Sequence, residues 1–82
     1  MVSKEPLLDA LGAKIRSVRE SKHISQENFA VKAQMARSYY GGVERGTRNI
    51  SAINLMRLAD ELDVEVGELF PPLEEIRQAI DP

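Results

Sequence analysis

Apolar residues recur along this chain every three or four positions, with polar residues between them. Leu8, Leu11, Ile15 and Val18 keep that spacing, which predicts a first helix ending near Lys22 and His23. Ser25 then precedes Gln26-Glu27-Asn28-Phe29-Ala30. A serine there can cap orphan backbone N–H groups, and Glu27 in the first turn suits the helix dipole. This second helix is expected to run to about Ala33, burying Phe29, Ala30 and Ala33. After a short turn at Gln34 and Met35, a third helix is expected over Ala36–Arg45, with Gly46 as its stop. Ser51 caps a fourth, whose inner face is Ala52, Leu55, Leu58, Ala59 and Leu62. A short fifth helix near Val66–Phe70 ends at Pro71 and Pro72. Beyond it, Leu73, Ile76 and Ile80 predict a short amphipathic helix, too short to be stable alone, which must dock on something. No segment alternates as a strand would, so the fold class is all-α.

Eighty-two residues make one domain. Its expected parts are an N-terminal extension (1–10), a helical domain (11–70) and a C-terminal tail (71–82). A core this small supplies little stability by itself, and with no cysteine in the chain disulfides and thiolate metal sites are excluded. Close helix packing or oligomerisation must compensate. There is no long apolar run, so no membrane span or signal peptide is expected, and the reading is of a cytoplasmic protein.

The net charge of −2 hides a division. Residues 11–57 hold nine bases against three acids, whereas residues 58–82 hold eight acids against Arg77 alone. A basic stretch followed by an acidic end fits a DNA footprint with the acids turned away. Two short helices joined by a tight turn are the geometry of a DNA-reading pair. Ala30 and Ala33 are small enough for the crossing. Tyr40 and Val43 serve as inward anchors, and Arg37, Ser38 and Tyr39 place hydrogen-bonding side chains near the start of the second helix. No nucleophile–base pairing or glycine-rich phosphate loop is present, so the chain reads as no enzyme. His23, the one histidine, cannot assemble a zinc site without cysteine. Neither metal nor cofactor is expected.

The residues from Leu11 to Phe70 resemble the phage-repressor, or XRE, type of helix-turn-helix transcriptional regulator. The likeness rests on IRSVR at 15–19, ISQENFA at 24–30, RSY at 37–39, VERG at 43–46, LADELDV at 58–64 and ELF at 68–70, all in register. The run GGVERGTRNIS at 41–51 also resembles controller proteins of restriction–modification systems. The resemblance implies a five-helix bacterial regulator, with the helix-turn-helix over about 26–45, that binds double-stranded DNA at a symmetric operator as a homodimer. It implies that Arg37 and Ser38 face base edges, with Ala36 at the helix start and Tyr39 stacking or touching phosphate. Gln26 would hold a phosphate or brace the reading helix. Arg48, Asn49 and the backbone around Thr47 would hold phosphates beside the N-terminus of the fourth helix. Glu44 would pair with Arg19.

This chain departs from the family pattern at several positions. Gln34 stands where glycine is usual, Ala36 where a capping serine is usual, and Tyr40 where an aliphatic residue is usual. Gly41 and Gly42 fall inside the reading helix, at about 1 kcal/mol each relative to Ala. At Gly42 this reads either as tolerated loss at an exposed site or as room for close approach to the groove. A dimer contact is expected through Val66, Leu69, Phe70, Leu73 and Ile76. Autoregulation is the simplest expectation. The competing reading is an antitoxin-like module whose acidic tail binds a protein partner.

Overall fold

A computed structural model of the chain describes residues 5–82, so the first four residues of the N-terminal extension lie outside it. The described residues are helical throughout: α1 (Pro6–Ser21), α2 (Gln26–Lys32), α3 (Arg37–Arg45), α4 (Ala52–Leu62), a 3-10 turn (Val66–Leu69) and α5 (Leu73–Ile80). The all-α fold class holds. Among these residues no helix is long and apolar enough to cross a membrane.

α1 opens at Pro6, inside the stretch expected as an extension. Proline at the first helical position loses no needed donor, and the Glu5 carboxylate accepts from the Leu7 N–H at 3.2 Å. Ser25 and Ser51 cap α2 and α4, accepting from Asn28 N–H and Asn54 N–H at 3.1 Å each. The segment expected as a fifth helix is a single 3-10 turn. Phe70 beyond it is extended (φ −98°, ψ 145°), because a following proline disfavours the helical backbone.

The core gathers Ile15 from α1, Phe29 and Ala30 from α2, Tyr40 and Val43 from α3, and Leu55, Leu58 and Leu62 from α4. Phe29 meets Tyr40 edge to face, with ring centroids 5.2 Å apart. α1 crosses α3 closely enough that a methyl group on Gly12 would run into the carbonyl oxygens of Val43 and Glu44. Gly46 ends α3 in the left-handed region (φ 79°), where a side chain would also strike Asp9. The C-terminal end of α3 therefore abuts the start of α1.

α5 docks on α1 of the same chain. Leu7, Leu8, Leu11, Phe70, Pro71 and Ile76 line a shallow apolar groove of about 170 Å³ between them. The expected dimer contact needs correction at one position. Leu69 is fully buried in its own core and offers nothing to a second copy, since the 3-10 turn points it inward. Ile76 is half-buried over α1, whereas Val66, Phe70, Leu73 and Ile80 stay exposed.

Candidate nucleic-acid interface

α2 and α3 are joined by four residues, Ala33 to Ala36, and the joint is a helix cap. Gln34 takes the left-handed conformation (φ 57°). Its N–H reaches the Val31 carbonyl at 3.0 Å, while the Met35 N–H reaches that of Ala30 at 2.9 Å. These two bonds satisfy carbonyls that the end of α2 would otherwise leave orphaned. The chain then turns sharply into α3. Ala36 is the N-cap of α3 and supplies no side-chain bond, which leaves backbone N–H groups at that end open to other acceptors.

A buried polar cluster locks α3 against α1 and α2. Arg19 of α1 donates from Nε to Glu44 Oε2 at 2.7 Å and from Nη2 to Glu44 Oε1 at 3.1 Å. Its third donor, Nη1, reaches the Ile24 carbonyl at 2.7 Å. Gln26, the first residue of α2, donates to Glu44 Oε1 at 2.9 Å, and the Tyr40 hydroxyl donates to Glu44 Oε2. Burial alone would raise the Glu44 carboxyl, but the donors from Arg19, Tyr40 and Gln26 outweigh it and hold the group below its ordinary range. The Tyr40 hydroxyl is pushed up, first by burial and then by its bond to Glu44, so it remains a donor. The out-of-pattern Tyr40 thus finds its hydroxyl partner inside the molecule. Gln26 braces α3 through this bond to Glu44.

The surface presented by this frame is polar. Arg37 and Ser38, the first two residues of α3, are exposed, and Arg37 Nη2 lies 2.8 Å from Glu27 Oε1 of α2. Tyr39 is half-buried against the core, and its hydroxyl accepts from Asn54 Nδ2 at 3.5 Å. Arg48 and Asn49 are exposed on the loop before α4, which Ile50 anchors in the core. Gly42 stands differently from both readings of it. It is neither exposed nor open to a groove, because an added Cβ would lie 2.5 Å from Arg48 Cγ and 3.1 Å from Thr47 Oγ1. The loop folds back over it, and the Gly42 carbonyl accepts from the N–H groups of Thr47 (2.9 Å) and Arg48 (3.2 Å). Its small size lets Arg48 cross α3.

Sequence reasoning missed the Glu27–Arg37 contact and the Tyr40–Glu44 bond. The second had a signal, since residues four apart share a helix face. The first had none, because two residues ten apart meet only through the geometry of the intervening turn.

Residues 15–69 match a family model described as Helix-turn-helix. The chain is 38% identical over 64 residues to Control protein C.MunI from a Mycoplasma species, covering 77% of this chain and 86% of that protein. The crystal structure of the restriction–modification controller protein C.AhdI from Aeromonas hydrophila superposes with a TM-score of 0.74 at 48% identity, over 77% of this chain and 96% of the other. SinR, a master regulator of biofilm formation solved in complex with DNA, superposes at 0.68 with 35% identity, over 72% of this chain and 95% of the other. These relatives are regulators, not enzymes. The chain belongs to the phage-repressor (XRE) type of helix-turn-helix family and is a DNA-binding transcriptional regulator.

Proposed function

We propose that this regulator binds a two-fold-symmetric operator as a homodimer, reading bases with Arg37 and Ser38 and holding phosphates with the side chains of Arg48 and Asn49; the Thr47 N–H, bonded to the Gly42 carbonyl, is not used. One observation carries the reading. The buried end of α3 is locked by the Arg19–Glu44–Tyr40–Gln26 cluster, while its first turn exposes Ser38 and Arg37, the latter beside Glu27. Arginine donates two bonds to guanine O6 and N7 in the major groove. The backbone before α4 and its N-terminus favour a phosphate. Likeness to the controller proteins C.MunI and C.AhdI supports a role in setting the expression of its own operon, at the chromosome in the bacterial cytoplasm.

The dimer is assigned to the exposed apolar residues of the C-terminal part, Phe70 and Leu73 with Val66, beside the groove on α1. That groove lies toward the C-terminal end of α3, because Gly46 abuts Asp9 there. Arg37 stands at the opposite end of the nine-residue helix, roughly 12 Å away along the axis, so association leaves the reading turn free.

Selecting bound sequences from a random DNA pool, then titrating Arg37→Ala and Arg48→Ala against the selected site and its single-base variants, tests the assignment. Arg37→Ala should relax preference at one base position per half-site and cost about 1–3 kcal/mol there. Arg48→Ala should weaken all sequences alike and flatten the salt dependence by about one counterion. Indistinguishable specificity profiles would overturn the placement of α3.

A further inference from the structure

Each of the three acids in the basic stretch faces an arginine. Glu20 takes Arg16 along α1, Glu44 takes Arg19 in the interior, and Glu27 takes Arg37 across the gap between α2 and α3. The third pair sets a carboxylate beside the side chain assigned to base reading. Glu27 is held in place by its backbone. It follows Gln26, whose amide is bound to Glu44, and it lies in a first turn capped by Ser25. Both partners stay about two-thirds exposed, 63% for Glu27 and 68% for Arg37.

A carboxylate here acts on the two modes of DNA binding unequally. Any duplex attracts the protein through its phosphates, and Glu27 both neutralises Arg37 and repels a phosphate that approaches it. A guanine edge is different, because it offers two acceptors to the planar guanidinium. With Nη2 engaged by Glu27, the remaining N–H groups of Arg37 are biased toward one orientation before DNA arrives, which lowers the ordering cost of a correct contact. The ion pair is exposed and therefore weak, so a matching base can share or displace it.

We propose that Glu27 is a specificity-determining positioning residue: through Arg37 it lowers affinity for DNA of arbitrary sequence more than affinity for the operator. This rests on the reading of Arg37 as a base contact, and the test separates the two.

Glu27→Gln, Arg37→Ala and the double variant of the full chain are titrated by fluorescence anisotropy against the selected operator and a random duplex of equal length. Glu27→Gln should bind the random duplex several-fold more tightly. Between about 50 and 200 mM salt it should lose about threefold more of that affinity than wild type, as one additional released counterion requires. The operator should gain less, so the ratio of operator to random affinity shrinks. In the Arg37→Ala background the same substitution should leave the ratio unchanged. A ratio that Glu27→Gln does not alter, or alters equally without Arg37, overturns the proposal, because the carboxylate then acts as a diffuse charge. If Arg37→Ala alone leaves operator preference intact, the assignment of base reading fails instead.

Discussion

Among the described residues, three other than glycine sit in the left-handed region, His23, Gln34 and Asp63, and Gln34 has the clearest consequence. A side chain in that conformation costs roughly 1–2 kcal/mol. Glycine relieves that cost but gives back roughly 0.5–1 kcal/mol in backbone entropy. Gln34 is exposed, and its backbone N–H bond to Val31 survives the change. Gln34→Gly is therefore expected to stabilise the fold by up to about 1 kcal/mol, a rise of roughly 4–8 °C in melting temperature for a domain this size. Thermal unfolding followed by circular dichroism measures it, and an unchanged or lower midpoint would show that the turn carries no such strain. The family preference for glycine at this position, noted from the sequence, thus has a physical cause: the cap needs a positive φ.

Between elements, the polar contacts that hold α3 to α1 and α2 converge on the Glu44 carboxylate. It accepts two bonds from Arg19 of α1 and one each from Gln26 of α2 and Tyr40 of its own helix. Glu44→Ala removes the acceptor of four bonds, two of them from a buried guanidinium, and should cost about 3–5 kcal/mol. Replacing Arg19 and Glu44 together by apolar residues should be milder than the sum of the single losses, since no buried charge is stranded. Melts of both single variants and the double decide this, and additive losses would refute the coupling. The same site gives a pH dependence. The folded Glu44 pKa lies below its unfolded value, so the stability it confers is fully present above the ordinary glutamate pKa of about 4.3. That stability is lost as pH falls through the lower folded value. Unfolding free energies of wild type should therefore decline below about pH 4–5 more steeply than those of Glu44→Gln. Parallel curves would remove Glu44 as the source.

At the scale of the whole molecule, the proposed dimer contact rests on the tail. α5, through Ile76, and Pro71 before it cover α1 of their own chain and leave Phe70 (41% exposed) and Leu73 (57%) uncovered. The acids after Leu58 surround these residues in sequence, consistent with an apolar contact rimmed by charge. Phe70→Asp should give a folded monomer that binds half-sites weakly, because two reading helices about 34 Å apart no longer act together. Sedimentation of wild type and variant measures the change. A wild type that is monomeric well above its operator-binding concentration, yet binds tightly, would contradict the dimer.

What the sequence determined by itself is most of the helices and of the faces they bury; Ala52, expected inward on α4, is exposed. Ile15, Phe29, Leu58 and Leu62 went inward as their spacing required, and Ser25 and Ser51 cap the helices they precede, because periodicity and capping act within a few residues. The family likeness pointed to Arg19 and Glu44 across 25 positions, a contact that local pattern could not reveal. Tertiary structure alone decided which surfaces met. It buried Gly42 under Arg48, turned Leu69 wholly into the core, laid α5 on α1, and brought Glu27 to Arg37. Each depends on where one element crosses another, to within an ångström or two. That distance is set by the packing of all the helices together, and no short stretch of the chain contains it.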